Sequence, residues 1–100
     1  MNLLPYSYHG ALVQGSLSSA TFNNCVFNDN KEDGVYGANS ATIHLHGDAT
    51  VIHSNRRWGI FAFLSGKVII HLPSHHNTSY NNRGQDRNTG SGGTITNVVD

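Results

Sequence analysis

The sequence predicts an all-β fold, a short parallel β-helix (solenoid) of about three to four turns with three short strands per turn. Three observations carry that reading. The stretch 34–58, GVYGANSATIHLHGDATVIHSNRRW, restarts at Gly59 as GIFAFLSGKVIIHLPSHHNTSYNN. A shift of 25 places Asn30 on Asn55, Gly34 on Gly59, Val35 on Ile60, Tyr36 on Phe61, Ile43 on Val68 and His46 on His71. A fixed period in the twenties, rich in Asn, Gly and β-branched residues, marks a coil that stacks on itself. Second, the apolar runs are short and separated by Gly, Asn and Ser, and none sustains a 3.6-residue period. Third, Asn returns at the same point of each turn, at Asn30, Asn55 and Asn82.

Taken in order, residues 1–9 match no turn of the repeat and read as an apolar, aromatic lead-in that caps the first coil. The first turn, about 10–33, holds strands at 11–14, 21–24 and 26–28. The second, 34–58, holds them at 35–38, 42–46 and 50–53, and the third, 59–85, at 60–64, 67–72 and 77–80. Ser19-Ala20-Thr21-Phe22 matches Ser40-Ala41-Thr42-Ile43 at a shift of 21, so the four residues that restore 25 lie in the bend at 46–49. Gly93-Thr94-Ile95 falls on Gly66-Lys67-Val68 at a shift of 27, which begins a partial fourth turn over 86–100. That register sets Arg87 where Ile60 stood, so 83–92 reads as a polar loop before a last strand at 94–98. Strand alternation then sorts the faces. Val35, Ile60, Ile43, Leu45, Val68 and Ile70 point inward, and Tyr36, Phe61, Phe63, His44, His46 and His71 point outward.

Composition limits the partners. Charged residues make up 12% of the chain and the formal net charge is zero, which argues against phosphate neutralisation and hence against nucleic acid. The charge is uneven, with an acidic first half and a basic second half, and together with an open strand edge this favours edge-to-edge self-association. A single Cys25 forms no internal disulfide. Residues 1–8 have neither a basic start nor a long apolar run, so they read as neither signal peptide nor membrane span. The chain reads as a fragment or minimal member of something longer.

The run TFNNCVFNDN and the recurrent Asn-x-x-x-Gly-[Val/Ile]-[Tyr/Phe] resemble right-handed parallel β-helix repeats of the pectate-lyase-like superfamily. The FNDN run is also similar to Phe-x-x-Asn repeats of bacterial surface adhesins. The ending SHHNTSYNN…GGTITNV resembles β-helix repeat proteins of algae and other marine microbes. The resemblance spans about 10–98. It implies right-handed coiling, an interior ladder of Asn30, Asn55 and Asn82, an extracellular or cell-surface setting, and polysaccharide as the ligand class.

Two outward clusters are the candidate sites. Tyr36, Phe61 and Phe63, with Trp58 beside them, form an aromatic face of the kind that packs on sugar rings. Its alternative is an apolar surface covered by the lead-in or by another protein. His44, His46 and His71 share a second face, with His53, His75 and His76 near the next bend. Neutral imidazoles so placed can hold Zn²⁺ or Cu²⁺, although no HExxH motif or Cys partner accompanies them and a stacked polar ladder is the simpler alternative. Catalysis finds less support. Glycosidases need two carboxylates flanking the bond and lyases need acids for Ca²⁺, whereas Glu32 and Asp33 are neighbours in one bend. His46-Gly47-Asp48 is explained by a turn. Asn77-Thr78-Ser79 is a glycosylation sequon that matters only in a secreted eukaryotic chain. The sequence therefore points to a non-catalytic structural or binding module without a required cofactor. The alternatives are a polysaccharide-modifying enzyme with an incomplete site here and a His-rich metal-binding solenoid.

Overall fold

The computed structural model describes residues 9–72 and 79–99. The expected lead-in, His75, His76 and the sequon's Asn77 and Thr78 lie outside the described residues. Eleven strands and no helix make up the described chain. The first turn contributes β1 (Ala11–Gln14), β2 (Ser19–Asn23) and β3 (Val26–Asn28), and the second β4 (Val35–Ala38), β5 (Thr42–His46) and β6 (Val51–His53). The third contributes β7 (Ile60–Phe63), β8 (Lys67–Leu72) and β9 (Ser79–Tyr80), followed by β10 (Arg87–Gly90) and β11 (Thr94–Val99). Every third strand pairs in parallel, giving a first sheet β1-β4-β7-β10, a second β2-β5-β8-β11 and a third β3-β6-β9. This is a parallel β-solenoid of about three turns. No described helix is long and apolar enough to cross a membrane.

The register follows the repeat. Val35 pairs with Ile60, Tyr36 with Phe61, and Ile43 with Val68. Because successive residues alternate faces, one set from each strand fills the coil. Ala11, Val35 and Ile60 stack from the first sheet, Ile43 over Val68 and Leu45 over Ile70 from the second, and Phe27 over Ile52 from the third. The apolar filling fades in the last coil, where Arg87, Thr89 and Asn97 take the places of Ile60, Ala62 and Ile70.

The structure corrects one expected loop. Arg87–Gly90 is a strand, in register with Ile60–Phe63. Parallel pairing is made by the main chain, and Ile60 N–H donates to Asp86 O while Leu64 N–H donates to Gly90 O whatever the side chains are. The Arg87 side chain is half-buried, and that desolvation pulls its pKa down while Asp86 opposes the shift.

Left-handed residues shape each of the coil's three corners, two of which bear on the site. Between the first and second sheets, Ala41 N–H donates to Ala38 O, Gly66 to Phe63 O and Gly93 to Gly90 O. The two residues inside each bond have positive φ: Asn39 and Ser40 at 54° and 64°, Leu64 and Ser65 at 50° and 62°, Ser91 and Gly92 at 47° and 82°. An i to i+3 bond across two left-handed residues is the mark of a type I′ turn. Between the third sheet and the next turn, Asp29, Ser54 and Asn81 are left-handed at 58°, 59° and 53°. Each such residue swings the following Asn toward the interior. Room there is scarce: a Cβ on Gly34 would strike the Ile52 side chain and come within 2.8 Å of both Asn55 Nδ2 and Gly59 O.

Candidate functional site

The Asn corner is the structural spine on which both outer faces hang. Asn30 Nδ2 donates to Asn55 Oδ1 at 2.8 Å, and Asn55 Nδ2 donates to Asn82 Oδ1 at 2.8 Å. The same oxygens accept the backbone N–H groups of Asn30 and Asn55, each at 3.1 Å. Asn82 Nδ2 reaches Asp86 Oδ1 at 3.1 Å. The side-chain N–H groups of Asn30 and Asn55 thus find acceptors one turn along, as burial of polar groups requires, while Asn30 Oδ1 accepts no hydrogen bond among the described residues.

The aromatic face lies outside the first sheet. Cross-strand register sets Tyr36 against Phe61, and their rings stack at 5.0 Å between centroids and 7° between planes. Phe63 leans on Phe61 at 5.4 Å and Trp58 at 4.3 Å. Alternation sends Phe61 outward, but its ring is not open to solvent as expected; it is only 8% exposed. Tyr36, Phe63 and Trp58 surround it, and the Arg57 guanidinium lies 4.0 Å over the Trp58 ring and 5.6 Å from the centre of Phe61. Tyr36, Phe63 and Trp58 remain half-buried, and Leu12, in register with Tyr36, is 50% exposed. The described residues enclose no pocket, and this face is a cluster of packed rings on the outside of the sheet.

Beside it lies a charged corner that sequence reasoning missed. Asp33 precedes Gly34 and Trp58 precedes Gly59, so the two occupy one column. Asp33 Oδ1 accepts the Trp58 backbone N–H at 3.2 Å. The Asp33 side chain is fully buried, and its Oδ2 lies 3.3 Å from His9 Nδ1 without a well-aligned hydrogen bond. Burial raises the Asp33 pKa; the Trp58 hydrogen bond and the charges of His9 and Arg57 offset part of that, and Glu32 adds to it. Arg57 pairs with Glu32 at 3.5 Å, and the signal was available, since these residues are 25 apart, one turn. His9 also contacts the Tyr36 ring at 5.1 Å.

The three histidines meet outside the second sheet. His44 and His46 alternate outward on β5, and His71 does so on β8. The rings of His46 and His71 stack at 3.8 Å and 12°. His44 Nδ1 lies 2.7 Å from His71 Nε2, a hydrogen bond whose donor is set by the ring tautomers. One ring nitrogen from each of the three lies within 4.8 Å of the others. Burial first, then the neighbouring His71 and His46, push the His44 pKa down, so the cluster favours a neutral ring there. His53 is elsewhere, stacked on Tyr80 over the third sheet at 5.2 Å.

No family model, curated protein or solved structure matches the chain. The geometry shows a parallel β-solenoid that carries an aromatic platform on one face and an imidazole cluster on the next.

Proposed function

We propose that the chain is a non-catalytic β-solenoid module that binds carbohydrate through the aromatic platform on its first sheet. The observation that carries this reading is the parallel stack of Tyr36 on Phe61, flanked by the tilted rings of Phe63 and Trp58 on the outside of the first sheet. Sugar rings present apolar C–H faces of about the size of such rings, and flat sheets with outward aromatics accept extended chains. Arg57, beside Trp58, adds a cation for a sugar carboxylate or sulfate, so acidic polysaccharides are the preferred class. The nearest carboxylates serve structure: Asp33 holds the Trp58 backbone and Glu32 pairs with Arg57. Placement in the pectate-lyase-like superfamily is part of the same proposal, supported by the Asn ladder and the three-strand turn.

Affinity electrophoresis of the intact chain through a panel of neutral and acidic polysaccharides tests it. Wild type is expected to be retarded by at least one acidic polymer. Tyr36→Ala with Phe63→Ala should weaken that retardation at least tenfold without altering the β-sheet circular dichroism. Indifference of the wild type to the whole panel refutes sugar binding. Retardation accompanied by shortening of the polymer would show that the module cuts what it holds.

A further inference from the structure

The geometry points to a transition-metal site on the outside of the second sheet, where His44, His46 and His71 together bind one Zn²⁺ or Cu²⁺ ion across two adjacent turns. The site is independent of the carbohydrate reading, because its ligands stand on a different face from Tyr36, Phe61 and Phe63. Three features carry it. The register delivers the donors: alternation on β5 puts two imidazoles on one face, and β8, paired with β5, adds the third. The donors converge, with one nitrogen of each ring within 4.8 Å of the others and the His44–His71 pair already at 2.7 Å. Imidazole nitrogens about 2.0–2.1 Å from a tetrahedral Zn²⁺ stand roughly 3.3 Å apart. The His44–His71 pair lies closer than that and no separation exceeds 4.8 Å, so the donors reach an ion by ring rotation. The rings are also packed together: His46 and His71 stack and all three are half-buried, and binding exchanges part of that stack for metal–nitrogen bonds.

The chemistry of the donor set selects the ion. Three neutral nitrogen donors without a carboxylate suit Zn²⁺ and Cu²⁺ and do not suit Ca²⁺ or Mg²⁺, which take oxygen. Three protein ligands leave a coordination position for water or for a donor brought by another molecule. Binding replaces the His44–His71 hydrogen bond by two metal–nitrogen bonds. Its proton moves to the outer nitrogen of the same ring, so no net proton need be released by neutral rings. The ion thereby adds a metal link between the second turn and the third, beside the β5–β8 pairing and the ring stack.

Equilibrium dialysis of the intact chain against Zn²⁺ alone and Cu²⁺ alone, followed by elemental analysis, tests the site. One ion per chain is expected, and the Cu²⁺ form should show nitrogen hyperfine structure from imidazoles in its electron paramagnetic resonance spectrum. His44→Ala, His46→Ala and His71→Ala should each weaken uptake at least tenfold. His53→Ala, and His75→Ala with His76→Ala, should leave it unchanged. His46→Gln keeps a polar side chain in the stack and guards against a folding artefact; the metal-free variant should melt as wild type does and still bind at least tenfold more weakly. The site is refuted by absence of stoichiometric uptake in the wild type, by wild-type affinity in folded His46→Gln, or by loss of uptake in the His75/His76 variant.

Discussion

Asp33 carries a carboxylate into a corner where its side chain has no exposed surface, and burial raises its pKa above the ordinary 3.8. The folded chain then holds this proton more tightly than the unfolded chain does. The contribution to stability is fully present below the unfolded value and is lost as the pH rises through the raised folded value. Asp33→Asn keeps an oxygen for the Trp58 N–H and removes the charge. We expect wild type and Asp33→Asn to melt alike near pH 4, and the variant to melt progressively higher as the pH approaches 7. Thermal melts across that range measure the gap; a gap that shrinks with rising pH would mean that the His9 and Arg57 charges dominate burial. The sequence showed Asp33 only as half of an acidic pair. Its burial depends on His9 and Trp58, which neighbour it only because turns stack.

At the scale of the elements, nine strands were legible from the period-two pattern, although β2 pairs with β5 at a shift of 23 and not at the expected 21, which sets Ala20 on Ile43 and Phe22 on Leu45. β10 was not, since Arg87 breaks the pattern while its backbone still pairs with β7. Of β9, Ser79–Tyr80 is the described part of the strand expected at 77–80. The faces of Tyr36, Phe61 and the histidines also followed from alternation. What covers Phe61 did not, because Trp58 and Arg57 reach it from the preceding bend. The type I′ corners offer a test of backbone strain. Leu64, at φ 50° and 44% exposed, occupies the position that Asn39 holds one turn earlier. A left-handed conformation costs an ordinary residue roughly 1–2 kcal/mol, and Asn tolerates it better. Leu64→Asn should therefore stabilise the chain by about 0.5–1 kcal/mol, read as a higher urea midpoint with an unchanged slope. A lower midpoint would show that the apolar contacts of Leu64 outweigh the strain.

For the whole molecule, stability is shared between turns and greatest where a side chain has a neighbour above and below. Ile43 is fully buried between Ala20 and Val68, whereas Ile95 meets Val68 on one side and is partly buried. Ile43→Ala should cost about 3–4 kcal/mol and Ile95→Ala about 1 kcal/mol by urea denaturation, since cavity cost grows with enclosure. Equal costs would show that the last coil is enclosed as fully as the middle one.

The amide column has one more consequence. Asn30 and Asn55 each give a side-chain N–H to the Asn of the turn that follows, and Asn82 gives its own to Asp86, so the column has a direction, a head at Asn30 and a tail at Asn82. The natural brick of this architecture is therefore the piece from one Asn to the next, not the strand. A brick moved along the axis finds the same acceptor ahead and the same donor behind. The spacing from Asn30 to Asn55 is 25 and from Asn55 to Asn82 is 27, yet both links close at 2.8 Å. The two added residues leave the link unchanged, so the masonry fixes only where each Asn must land.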